Sequence, residues 1–262
     1  MIDLNYSIIG HVENQTPVLI LHGLFGSQKN WGSIAKKLAK KHPVITLDLR
    51  NHGQSPHAAT MSYPEMAADI IQLLDKLDHS SAILVGHSMG GKVAMSCAME
   101  YSDRIKALCV ADIAPVRYQH EFDQIISALQ SLPLKKIHSR TDADQFLAET
   151  IEQAMLRQFL LQNLVKDGDQ FSWRINLDAI HGEIPVITGF PDYSVGNSFE
   201  KNTLFLRGVN SDYVASQYHS VIKERFPSAN IRTLPDCGHW LHAEQPGLFY
   251  DSLIEFLDEN AN

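Results

Sequence analysis

Residues 82–91 constrain the fold more than any other part of this chain. Four apolar residues, AILV, run straight into Gly86-His87-Ser88-Met89-Gly90-Gly91, and residues 92–99 continue as a small-residue helical stretch. A short apolar run closed by glycines and followed by helical spacing reads as strand, sharp turn and helix. A G-x-S-x-G in that setting holds its serine on a bend too tight for flanking side chains, at the C-terminal edge of a sheet. The helix that follows offers unpaired N–H groups at its start. Ser88 is the candidate nucleophile, and the Met89 N–H is a candidate donor to an oxyanion.

The same strand and helix order surrounds this turn. Residues 17–21 (PVLIL), 43–47 (PVITL) and 107–111 (ALCVA) are continuous apolar runs, as expected of parallel strands covered on both faces. Residues 30–40 place Trp31, Ile34, Ala35, Leu38 and Ala39 at helical spacing, and residues 62–78 place Met66, Ile70, Leu73, Leu74 and Leu77 on one stripe behind Pro64. The class is α/β. From 114 to 197 the alternation stops: helical patterns at 122–132, 142–151 and 154–165 come with no comparable apolar strand. It resumes with strands at 203–206 and 230–234 and helices at 213–226 and 245–257. The expected organisation is a core of residues 1–113 and 198–262 carrying a helical cap at 114–197.

With 44% hydrophobic and 20% charged residues over 262 positions, the chain can bury a sizeable core. The 22 Lys and Arg face 30 Asp and Glu, a net charge of -8. That balance offers no long-range attraction to phosphate backbones, so nucleic acid is not an expected partner. No apolar run approaches the ~18 residues of a membrane span. The opening MIDLNYSIIG has an early acid and no basic segment before an apolar one, so a cytoplasmic location is expected. Cys97, Cys109 and Cys237 show no C-x-x-C spacing and are odd in number; they read as reduced thiols.

A serine hydroxyl needs a base within hydrogen-bond reach. Among 13 histidines, His239 stands out, in Asp236-Cys237-Gly238-His239-Trp240 just after the strand-like NIRTL. A carboxylate must orient that imidazole, and two fit: Asp112 ends the strand ALCVA, and Asp212 follows TLFLRG. The loop after the first apolar run, Leu21-His22-Gly23-Leu24-Phe25-Gly26, is placed to supply a second oxyanion donor, the Leu24 N–H.

Taken in order, HGLFGS, LDLRNHGQS, GHSMGG and GHWLHAEQP resemble the α/β-hydrolase superfamily across nearly the whole chain. Asn51 within Asp48-Leu49-Arg50-Asn51-His52-Gly53, and the word Asp112-Ile113-Ala114-Pro115, resemble its bacterial YbfF esterase group. The resemblance implies a mostly parallel twisted sheet flanked by helices, with a helical cap after the sixth strand of the family order. It implies a carboxylesterase or acyl-thioesterase acting on a small-molecule substrate, without metal or cofactor. Relatives commonly place the acid three residues after the glycine ending the seventh strand, where this chain has Ser211; others use the end of the sixth, where Asp112 stands. Asp112 is therefore preferred, with Ser211 as an additional partner for His239 and Asp212 as the alternative acid. Phe122, Ile126, Phe159 and Leu160 are candidate walls of the substrate pocket. Arg117, and the cluster of Lys135 and Lys136 with Arg140, are candidate contacts for an anionic head such as the phosphates of an acyl-CoA, with a solvated face the preferred reading for the two lysines. Fold and triad do not fix the reaction, so a carbon–carbon hydrolase or lyase and a non-catalytic ligand binder remain as alternatives.

Overall fold

The computed structural model describes residues 1–10, 15–119, 122–168, 170–194 and 197–260. Its strands are β1 (Tyr6–Ile9), β2 (Val18–Leu21), β3 (Val44–Leu47), β4 (Ala82–His87), β5 (Ile105–Ala111), β6 (Leu164–Asp167), β7 (Gln170–Trp173), β8 (Thr203–Gly208) and β9 (Ala229–Leu234). Seven of them form one sheet in the order β1-β3-β2-β4-β5-β8-β9. Every neighbouring pair is parallel except β1 with β3. β1 lies outside the expected pattern because its half-exposed residues form no apolar run.

The helices are α1 (Gly32–Leu38), α2 (Tyr63–Lys76), α3 (Met89–Glu100), α4 (Phe122–Ser131), α5 (Arg140–Ala148), α6 (Ala154–Leu160), α7 (Leu177–Ile187), α8 (His219–Arg225), α9 (Leu241–Glu244) and α10 (Pro246–Asn260). Successive strand residues point to opposite faces. Leu19, Leu21, Leu84, Leu108 and Val110 pack with residues of α2, α3 and α8. Val18, Ile20, Ile83, Val85 and Cys109 pack with Trp31, Ile34 and Leu38 near α1 and with Phe249 and Leu253 of α10. Continuous apolar strands thus feed two cores at once.

The chain leaves β2 toward β3 on one side, then crosses back to β4 on the other. Such a reversal opens a crevice outside the carboxyl ends of the two strands. The loop after β2 and the turn after β4 flank it, which brings Leu24 beside Ser88.

The segment between β5 and β8 departs from an all-helical insert. The expected helices correspond to α4, α5 and α6, but α6 stops at Leu160. Val165 belongs instead to β6, which pairs antiparallel with β7 across a turn where Gly168 has φ +59. Strands of four residues carry too little alternation to stand out in sequence. The unanticipated α7 contains Pro185, which reads as a breaker, and starts where the Asn176 side chain accepts from the Ala179 N–H. In the core, the helix expected at 213–226 begins late, because residues 216–218 form a single tight turn before α8. Among the described residues no helix is long and apolar enough to cross a membrane.

Candidate active site

Ser88 sits between β4 and α3 with φ 52 and ψ -120, a conformation that costs a non-glycine residue about 1–3 kcal/mol and clusters at functional sites. Its neighbours hold it there. A Cβ on Gly86 would stand 2.2 Å from the Gly90 carbonyl oxygen, and one on Gly90 would stand 2.4 Å from that of Leu21. The Ser88 N–H donates to Ala111 O at 3.0 Å, tying the bend to β5.

His239 lies between Ser88 and Asp112. Its Nε2 is 3.1 Å from Ser88 Oγ and its Nδ1 is 2.8 Å from Asp112 Oδ2. Asp112 follows β5 at φ 52 with none of its surface exposed. Its carboxylate also accepts from the Gly208 N–H at 3.1 Å and from the Ser211 hydroxyl. An acceptor-only carboxylate requires the proton on Nδ1, which leaves Nε2 bare and facing the serine. Ser211 thus touches Asp112 rather than His239, contrary to the expectation, because both imidazole nitrogens are already engaged. Asp212 is exposed.

Two further histidines surround the imidazole. His87 Nε2 donates to the His239 carbonyl oxygen at 2.8 Å. His242 stacks on Trp31, ring centroids 4.4 Å apart, and meets the His87 ring edge-on. Burial, reinforced by neighbouring histidines, drives His87 well below its usual range and His242 to about 4. Both stay neutral near pH 7, so neither opposes a positive charge forming on His239.

The loop after β2 is held so that one N–H stays open beside Ser88. Phe25, at φ 62, gives its N–H to His52 Nε2 at 3.1 Å, and the Gly26 N–H goes to Gly23 O at 2.9 Å. The Leu24 N–H has no acceptor among the described residues, nor does the Met89 N–H at the first position of α3. His52 is itself anchored through Nδ1 to Arg50 O at 2.9 Å, and Arg50 pairs with buried Asp69 at 2.7 Å. The LDLRNHGQS segment therefore buttresses the loop after β2.

Two cavities open at Ser88. The larger, about 270 Å³, includes His239, Phe122, Ile125, Leu156, Phe159 and Trp240 in its lining. The smaller, about 30 Å³, is bordered by Met89, Lys92, Tyr63, Ile113 and Ile187. Leu24, Phe122 and Tyr213 border both. Among the described residues no cluster of His, Cys, Asp or Glu is arranged to hold a metal ion.

Residues 16–246 match the family profile described as alpha/beta hydrolase fold. The chain belongs to the α/β-hydrolase family. It is 38% identical over 266 residues to the sn-1-specific diacylglycerol lipase of Xenopus tropicalis, covering 98% of this chain and 83% of that one. To the esterase YbfF of Escherichia coli it is 35% identical over 247 residues, 94% of each. Among solved structures, an esterase from a marine microorganism matches with a TM-score of 0.94 at 38% identity, covering 98% of this chain and 100% of that one.

Within this α/β-hydrolase, Phe122 and Phe159 lie where the larger cavity is walled by the insert. Ile126 and Leu160 are instead fully buried in the insert's own packing. Arg117 is a correction: its guanidinium donates to Pro185 O at 2.7 Å and packs on Gly189, and it borders neither cavity. The Pro185 carbonyl in α7 takes its hydrogen bond instead. Sequence reasoning missed His87, His52 and Tyr213, whose ring lies 4.3 Å from that of His239. His87 was visible inside the serine motif, but no spacing rule points from it to the His239 loop.

Proposed function

We propose that this chain is a serine hydrolase cleaving carboxylic esters or acyl thioesters through an acyl-enzyme on Ser88. One observation carries the reading: the imidazole of His239 bridges a strained serine hydroxyl and a buried carboxylate. The names of the relatives, esterase and diacylglycerol lipase, support ester cleavage. His239 Nε2 takes the proton of Ser88 Oγ as Oγ bonds to the substrate carbonyl carbon, and Asp112 stabilises the imidazolium. The carbonyl oxygen, now an oxyanion, receives the N–H groups of Leu24 and Met89; one such donor is worth about 2.7–4 kcal/mol of barrier. Collapse breaks the bond to the alcohol or thiol, which takes the proton from Nε2. Water, deprotonated by the same nitrogen, then attacks the acyl carbon; the bond to Ser88 Oγ breaks, Oγ takes the proton back from Nε2, and the carboxylic acid leaves. Residues 114–197 act as the cap, covering the serine with Phe122, Ile125, Leu156 and Phe159.

A specific feature favours leaving groups with an anionic tail, such as acyl-CoA thioesters. Next to the larger cavity, beyond the hydrogen bond from Asn30 to Gln162 at 2.9 Å, runs a groove of about 610 Å³ bearing Lys29, Arg140 and Arg174. Asp144, the one acid among the described residues that border it, is paired with Arg157 at 2.8 Å. Arg140, and not Arg117, is the residue for this role.

Incubation with a fluorophosphonate followed by peptide mass spectrometry tests the reading. The expected adduct is on Ser88, and it forms more slowly while an excess of an ester substrate is present. A folded protein that takes up no label, or takes it elsewhere, contradicts the proposal.

A further inference from the structure

The two cavities at Ser88 are unequal in volume, and only one of them contains His239. If the acyl-enzyme reading holds, the tetrahedral carbon on Ser88 Oγ carries three other groups, each with its own direction. The oxyanion points to the Leu24 and Met89 N–H groups. The leaving oxygen or sulfur must lie within reach of His239 Nε2, from which it takes its proton. The acyl chain occupies what remains. His239 and Trp240 border only the 270 Å³ cavity, and Met89 borders only the 30 Å³ one. We infer that the leaving group fills the large cavity and the acyl chain the small one, which makes this enzyme selective for short acyl groups on large alcohols or thiols.

The volume sets the limit. A water-sized group needs about 10–15 Å³ on this scale, so the small chamber takes roughly two to three such groups beyond the carbonyl carbon, an acyl chain of about three to four carbons. Its walls are tied by hydrogen bonds that resist widening. Lys92 Nζ donates to the carbonyls of Val116, Thr188 and Gly189 at 2.8, 2.9 and 2.6 Å. The Tyr63 hydroxyl donates to Ile187 O. The Tyr118 hydroxyl accepts from the Ala114 N–H at 2.8 Å and donates to Tyr213 O at 2.5 Å. The large cavity is walled instead by half-buried apolar side chains of the insert, among them Phe122, Ile125, Leu156 and Phe159.

The test is a two-way series of kcat/KM values. One arm lengthens the acyl chain of a p-nitrophenyl ester from acetate through butyrate and hexanoate to octanoate. The other enlarges the leaving group of an acetate from phenyl to 2-naphthyl to 4-biphenylyl, whose acidities are similar. The inference expects a fall of about tenfold or more between butyrate and octanoate, and a rise along the aryl series. Ile187→Ala and Ile113→Ala, each checked for folding by its melting curve, move the acyl optimum to longer chains. Phe159→Ala weakens the aryl preference and leaves the acyl profile in place. Octanoate turned over as well as butyrate, or an acyl optimum moved by Phe159→Ala and not by Ile187→Ala, overturns the assignment while hydrolysis itself stands. No turnover of any member together with no fluorophosphonate label overturns both the assignment and the hydrolase reading.

Discussion

His87 Nε2 donates to the backbone carbonyl of His239 at 2.8 Å, so the residue preceding the proposed nucleophile holds the loop of the proposed base. The two rings lie 4.7 Å apart, and His87 is 4% exposed. Misplacing a catalytic group by about 1 Å can cost about 100-fold in rate. His87→Ala is therefore expected to lower kcat by about that factor with little change in KM, whereas His87→Gln, which keeps a donor, restores most of it. Steady-state ester hydrolysis on both variants checks this; equal losses in both would mean that the hydrogen bond is not what matters.

Acid should destabilise the fold earlier than carboxylate titration alone requires. Burial is the first cause that holds His52 down at about 3 and His242 at about 4, and it also lowers His22 and His87. In the unfolded chain these groups take a proton near pH 6.5. Below that, the unfolded state binds more protons than the fold, so stability is complete above about pH 6.5 and falls as pH drops toward the folded values. Each such histidine costs about 1.4 kcal/mol per pH unit across that window. Urea unfolding between about pH 7 and pH 5 should show this slope, and His242→Phe should reduce it by one proton's share. An unchanged slope in the variant contradicts the assignment of His242 to the effect.

Lys92 joins the first turn of α3 to both ends of the insert. Removing its three donors leaves the carbonyls of Val116 and Gly189 without a partner, while that of Thr188 keeps the Tyr118 N–H at 3.0 Å; a buried group so stranded costs about 1–3 kcal/mol. Lys92→Met, similar in length and apolar, is expected to lower unfolding stability by about 2–4 kcal/mol in urea. A loss below about 0.5 kcal/mol, the range of an ordinary surface change, would show that these bonds do not hold the insert.

Legibility from sequence followed the strength of local constraint. The turn at Gly86 to Gly90 is dictated by contacts that no side chain could survive, so its glycines speak in any single sequence. His239 stood out because it follows the last strand. Asp112 and Asp212 both follow strands, and only the fold separates a carboxylate with no exposed surface from one on the protein surface. The insert was the least legible part. Its hairpin strands have four residues each, α7 contains a proline, and the direction of Arg117 depends on where Pro185 and Gly189 come to lie. The roles of His87 and His52 are long-range contacts, made across 152 and 27 positions, and no periodicity encodes them.

The most direct test of the account is turnover of p-nitrophenyl butyrate by wild type, Ser88→Ala, Asp112→Asn and Asp212→Asn under identical conditions. The account predicts that Ser88→Ala is inactive, that Asp112→Asn loses about 10⁴-fold in kcat, and that Asp212→Asn stays within about twofold of wild type. Full activity in folded Ser88→Ala, or a loss in Asp212→Asn that exceeds the loss in Asp112→Asn, would contradict the Ser88-His239-Asp112 assignment.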